Sequence, residues 1–204
     1  MLWARRWLVV RRLQRLLSLL AVAASLTGTV RPVLAEPDIE ISYERDDSSA
    51  DSLIRAEALF PVRSSDIQRV FAAISAYPEL HDWIRSTRLV RKTVQGEEFL
   101  VEFAFPWPVG KQWSRVEVRR HADNSIEWHQ IDGSLKANRG RIAFSTRGGA
   151  AHIDYRAVID VGFPDALTRP YKKRFVSEFV GAVYQQARSR GSSTAIALAS
   201  RAQP

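Results

Sequence analysis

Four histidines, His81, His121, His129 and His152, are the side chains best suited to hold a metal ion or move a proton near neutral pH. A zinc site wants three or four such ligands, or thiolates, at short spacings. The chain has no cysteine, and its histidines do not pair in that way. A two-residue turn at Asp123-Asn124 sets His121 opposite Ile126 and His129 opposite Val118, on opposite faces of one hairpin. In the same register Arg120 faces Glu127 as an ion pair and Arg119 faces Trp128 as a cation–π contact. His81 lies beside Asp82 on a short helix, and His152 lies on a solvent face. No metal and no organic cofactor are expected. For acid–base work the candidates are His129, Tyr155 and Glu102, as a cyclase or dehydratase would need. Glu102 alternates away from the Phe99 and Phe103 face, however, and no carboxylate pair or nucleophile–base spacing accompanies them. No catalytic residue is assigned.

A different chemistry is better represented. The stretch FAFPWPVGKQW, Phe103 to Trp113, crowds rings and two prolines at the end of a strand. Pro106 and Pro108 cannot donate ladder hydrogen bonds, so the chain leaves the sheet there and can form a rim or lid. Other rings recur at strand or helix spacing. The residues expected to contact an apolar ligand are Trp83, Phe103, Phe105, Trp107, Trp128, Phe144, Tyr155, Phe175 and Phe179. Core packing is the competing role for each one.

Basic residues cluster at Arg88/Arg91/Lys92, Arg119/Arg120 and Lys172/Lys173/Arg174. The last group reads as a solvated helix face, with brief contact to anionic headgroups during ligand delivery as the alternative. The formal charge of +8 comes from 30 basic against 22 acidic residues. Six arginines and no acid fall in residues 1–35, ahead of and around the apolar run LLSLLAVAASL. That pattern is an export signal with cleavage after Ala35, and implies an exported, periplasmic protein. The run, roughly 15 residues, is short for a membrane span of ~20, which leaves an uncleaved anchor as the alternative. Without those six arginines the charge falls to about +2, which is no footprint for nucleic acid. With no disulfide available, stability must come from the core.

The elements that must position these residues follow from periodicity. Ile39, Ile41 and Tyr43 alternate as a strand, and Leu53 to Val62 forms a second after the polar turn DDSSADS. Ser65 and Gln68 form a capping-box pattern opening a helix over Asp66 to Ala76, and PELHDWI follows as another short helix. From Ser86 to Gly162 the period is two. Strands are expected at Arg88 to Val94, Phe99 to Phe105, Gln112 to His121, Ser125 to Ile131, Arg141 to Thr146 and His152 to Asp160. Leu167, Tyr171, Phe175, Phe179 and Val183 then mark an amphipathic helix from Thr168 to Arg188, ending in a flexible tail over 191–204.

This order, with AYPELHDWIRSTRLV after the first helix, GSLKANRGRIAFS in the sheet and HIDYRAVIDVGFP before the last helix, resembles the START-like helix-grip superfamily. That superfamily includes polyketide cyclase/dehydrase-like and coenzyme Q-binding proteins. The resemblance covers Glu36 to Arg188 and implies one α+β domain over 36–190. Its curved antiparallel sheet of about seven strands would carry two short helices and a long C-terminal helix. It further implies an apolar cavity for a lipid, isoprenoid, quinone or polyketide-like molecule. Many START domains carry an Arg-Asp pair after the proline-rich strand exit; here Trp113-Ser114-Arg115 stands in that region.

Overall fold

The structure, a computed structural model, describes residues 37–45 and 52–201. The export segment, its cleavage site after Ala35 and most of the DDSSADS turn lie outside these residues. Among the described residues no helix is long and apolar enough to cross a membrane. Eight strands form one antiparallel sheet: β1 Ile39–Arg45, β2 Ser52–Phe60, β3 Ile84–Lys92, β4 Glu97–Ala104, β5 Lys111–Arg120, β6 Ser125–Gly133, β7 Ala137–Arg147 and β8 Ala150–Asp160. Their spatial order is β1-β2-β8-β7-β6-β5-β4-β3. Among the described residues three α-helices accompany them, α1 Ser64–Ala72, α2 Tyr77–Leu80 and α3 Asp165–Arg201, with a 3₁₀ turn over Ile74–Ala76. The strand count is eight, not about seven: the alternating Ile39, Ile41 and Tyr43 pair fully with β2 and extend the sheet by an edge.

Helix boundaries moved where local signals were overruled. The Ser65/Gln68 box does not cap α1; its N-cap is Arg63, with no side-chain cap bond. Asp66 takes that role electrostatically, buried in the first turn where the helix dipole favours an anion, and held by Arg63 at 2.9 Å and Arg69 at 3.2 Å. The PELHDWI helix ends at Leu80, and Ile84 already belongs to β3, four residues earlier than that strand was expected to begin. The C-terminal helix runs past both expected ends and takes in most of the segment read as a tail.

The β5–β6 hairpin corrects a second expectation. Its loop has three residues, not two: the His121 N–H donates to the Ser125 carbonyl at 2.9 Å, with Asn124 in the left-handed region at φ 61°. The register therefore shifts by one, pairing Val118 with Trp128 and Glu117 with His129. His121 and His129 now share the outer face, but each meets its own carboxylate, Glu127 at 3.0 Å and Glu117 at 3.1 Å. Arg120 bonds Glu97 and the Ala72 carbonyl instead of Glu127, while Arg119 bonds Glu117 and Gln95 and does not cover Trp128. Among the described residues no three His, Asp or Glu side chains are grouped to hold a metal ion. The same shift turns Trp128 inward, beside Ile126.

The inner face of the sheet is closed by α3 and α1. Phe175, Val176, Phe179, Val180, Val183, Tyr184 and Ala187 form the buried stripe of α3. Tyr184 stacks on Phe60 with ring centroids 5.0 Å apart, and Phe179 meets Phe71 edge-on at 5.8 Å. Each such ring stabilises the fold by about 1.5–3 kcal/mol through burial. Trp128 can lie on the sheet because its cross-strand partner is Gly140; a Cβ there would collide with the indole and the Arg156 carbonyl. Gly140→Ala is expected to lower unfolding stability in urea by about 1–3 kcal/mol. Gly181→Ala, in α3 with open space around it, should instead raise stability by about 0.5–1 kcal/mol. Equal effects of the two would contradict this packing.

Candidate ligand-binding cavity

Between the inner sheet face and the helices lies a cavity of about 110 Å³. The strands contribute Ile84, Val101, Phe103, Val116, Val118, Ile126, Trp128, Ile142, Tyr155 and Ile159; the helices and their link contribute Phe71, Ile74, Tyr77, Phe175 and Phe179; Phe105, Leu135 and Asn138 complete it. No charged side chain lines it. The alternation of the strands puts these residues on one face, and a single long helix leaves part of that face uncovered.

Of the residues expected to contact a ligand, Phe103, Phe105, Trp128, Tyr155, Phe175 and Phe179 line this cavity. Trp83 lines a second, smaller space of about 20 Å³ with Pro106, Val109, Thr168, Tyr171 and Lys172. Phe105, Ile159 and Phe175 border both spaces and so form the wall between them. Phe144 stands outside the lining, packed on Phe71 at 5.5 Å. Trp107 is 86% exposed and lines neither space. Of the acid–base candidates, only Tyr155 is in the cavity: Glu102 is exposed beside Ser86, and His129 is on the outer face. Val116, Ile126 and Ile142 were not singled out in the sequence, although their strand alternation carried the signal. Asn138 had no such signal, standing in the polar run ANRGR.

The wall is aromatic. Phe105 stacks on Phe103 at 5.2 Å and meets Phe175 at 6.1 Å, and Trp83 stacks on Phe175 at 6.0 Å. The prolines release the chain from β4 as expected, and the loop turns back at once: the Phe105 N–H donates to the Gly110 carbonyl at 3.0 Å, with Gly110 at φ 71°. The Trp107-Pro108 peptide is cis.

One uncharged hydrogen-bond chain runs along the other side of the cavity. Trp128 Nε1 donates to Asn138 Oδ1 at 3.0 Å, Asn138 Nδ2 to Ser114 Oγ at 3.2 Å, Ser114 Oγ to Gln130 Oε1 at 2.8 Å, and Gln130 Nε2 to the Leu135 carbonyl at 2.8 Å. Ser114 is fully buried where the resemblance would have allowed an Arg-Asp pair, so the position holds a neutral network. Tyr77 donates its hydroxyl to the Phe71 carbonyl at 2.6 Å. Burial raises the pKa of both Tyr77 and Tyr155 well above the ordinary phenol value, keeping them protonated.

No family model and no curated protein matches the sequence. Solved structures do match in three dimensions. Human StAR-related lipid transfer protein 5 superposes with a TM-score of 0.60 at 10% identity, over 84% of this chain and 95% of that one. A START superfamily protein from Mycobacterium smegmatis gives 0.59 at 10%, over 67% and 97%. The Zhui aromatase/cyclase from a Streptomyces strain gives 0.56 at 12%, over 68% and 94%. The fold is that of the START-like helix-grip proteins.

In this helix-grip chain, two polar groups stand beside the smaller space, the Lys172–Asp165 pair and the His81 ring. Lys172, expected on a solvated face, is 8% exposed and donates to Asp165 at 2.9 Å, because the first turns of α3 lie against the start of β2. Burial alone would raise the Asp165 pKa, but hydrogen bonds from Lys172, Ser52 and Arg169 outweigh it and hold the carboxyl at about 2. On the other side His81 Nδ1 accepts the Trp83 N–H at 3.0 Å, its ring lies 4.7 Å from Phe175, and Nε2 is 3.4 Å from Glu178. Burial lowers the His81 pKa, partly opposed by Glu178 and Asp82.

Two outcomes follow. Asp165→Asn should cost about 2 kcal/mol in denaturant unfolding at neutral pH, in the range of hydrogen bonds to a charged group. Because the native pKa is depressed, the contribution of Asp165 is present above about pH 4 and disappears as the pH falls through about 2. The variant should therefore converge with the parent in strong acid; a constant gap would refute the assignment. His81 also has a depressed native pKa, so its effect is full at high pH and fades as the pH drops below about 6.5. His81→Gln should flatten the loss of stability that the parent is expected to show between about pH 6.5 and 5 in denaturant unfolding.

Proposed function

We propose that the protein is an exported, periplasmic carrier that binds an apolar small molecule, a lipid, isoprenoid, quinone or polyketide-like compound, between the sheet and α3. The observation that carries the reading is a cavity lined by rings and aliphatic side chains, with no charged one, inside a fold shared with lipid transfer proteins and aromatase/cyclases. The export part rests on residues 1–35, with their arginines and short apolar run. The separation of Glu102 and His129 from the cavity supports carriage over catalysis. The volume, about 110 Å³, suits one small ring, on the scale of cavities known to take benzene. A longer ligand requires Phe105 and Phe175 to part, joining the two spaces and opening them between the 105–110 loop and α3.

The test is mass spectrometry of the protein purified from its own envelope, natively and after solvent extraction. A stoichiometric apolar molecule is the expected result. A protein that arrives empty and also fails to bind an apolar fluorescent probe would overturn the reading. Val116→Phe, which places a ring inside the cavity, should weaken probe binding tenfold or more while altering unfolding stability by no more than about 1.5 kcal/mol.

A further inference from the structure

The polar groups of the cavity are unequally spent. Tyr77 gives its hydroxyl proton to the Phe71 carbonyl and Trp128 gives its indole N–H to Asn138. Asn138 uses its side-chain oxygen to accept from Trp128 and one amide hydrogen to reach Ser114. Two donors remain without a hydrogen-bond partner among the described residues: the second amide hydrogen of Asn138 and the hydroxyl of Tyr155. Both residues line the cavity. Trp128 ties them to one wall, since its indole bonds Asn138 and its ring lies 5.6 Å from the Tyr155 ring. The Tyr155 hydroxyl is not one of the fully buried side-chain atoms that lack a partner, so it faces open space, and in an apolar cavity a donor left open favours a ligand that supplies an acceptor.

We propose that the ligand is a neutral apolar molecule bearing a carbonyl oxygen, such as a ketone, quinone or ester, which accepts a hydrogen bond from Tyr155, with Asn138 as the second donor on the same wall. This rests on the reading of the cavity as a ligand site and narrows it. Neutrality follows from the lining, which holds no Lys, Arg, His, Asp or Glu: a carboxylate or ammonium buried there would meet no counter-charge. Burial keeps the Tyr155 proton in place at physiological pH, so the phenol is available as a donor. Because no protein hydrogen bond depends on that hydroxyl, Tyr155→Phe removes the donor and leaves the packing intact.

The test uses three probes of one ring size on the full chain: acetophenone, ethylbenzene and benzoate, each titrated in competition with an apolar fluorescent probe. Tyr155→Phe is expected to weaken acetophenone about fivefold, the scale of one hydrogen bond, and to leave ethylbenzene within twofold. Benzoate should not compete. The infrared carbonyl band of bound acetophenone should lie at lower frequency in the parent than in Tyr155→Phe. If the variant shifts ketone and hydrocarbon equally, or moves neither affinity nor band, the carbonyl assignment is wrong while the cavity reading stands. If benzoate binds as tightly as acetophenone, neutrality is wrong. If none of the three displaces the fluorescent probe, and that probe itself does not bind, the cavity reading and this inference fall together.

Discussion

One sheet face must be covered by too little helix, and the rest of the molecule answers to that mismatch. Eight strands at about 4.8 Å spacing would span roughly 34 Å if flat, whereas a helix with its side chains is about 10–12 Å across. The single long helix α3, helped by α1, cannot lie on all of it. Twist and curvature draw the strands toward the helix, and large side chains such as Trp128, Phe103 and Phe179 reach across what remains. The uncovered remainder is the cavity. Its position is thus a consequence of element proportions before any ligand is considered, and its uncharged lining follows from the alternation that buries one face of every strand.

The start of α3 obeys a different rule from its body. At the body, apolar area alone holds α3 down, through Val176, Val180, Val183 and Tyr184, all nearly inaccessible. At the N-terminal end of α3 polar contacts tie the helix to the sheet: the Ser52 hydroxyl of β2 donates to Asp165, which also accepts from Arg169 and Lys172 of the same helix, and the Tyr43 hydroxyl of β1 donates to the Arg169 carbonyl. Between these regions Phe105, Ile159 and Phe175 separate the two spaces. Pro106 and Pro108 add to the contrast, because a segment that cannot donate ladder bonds has less to hold it to the sheet.

Much of this was legible in the sequence, for reasons that can be stated. The four-residue recurrence from Leu167 to Val183 could only be a helix in need of an apolar partner, and the alternation around Phe99 to Phe105 could only be a half-buried strand. Six of the nine candidate ligand contacts stand in the larger cavity: strand period carries Phe103 and Tyr155, and helical period carries Phe175 and Phe179. What failed was whatever depended on one residue of register or on a neighbour far along the chain. The Asp123-Asn124 pair suggests a two-residue turn, but Asp123 caps Ser125 through both its N–H and its hydroxyl and lengthens the loop by one. That residue alone moved both histidines onto one face and Trp128 to the interior. Lys172 is polar by type and adjacent to two cations; only the approach of Ser52 and Asp165 buries it. Asn138 is silent in sequence because its role comes from Trp128 and Ser114 on other strands.

A wall built of rings also sets what can pass it. Parting Phe105 from Phe103 and Phe175 exposes apolar area and forfeits contacts worth about 0.5–1.5 kcal/mol per ring pair beyond that area. On the carrier reading, an apolar molecule sliding between the rings restores contact of the same kind as that being lost, so the barrier to it is low. A charged or strongly hydrated molecule restores none of it and must shed its own water as well. On that reading, selection for apolar ligands begins at the wall, before the proposed donors of the inner cavity are reached.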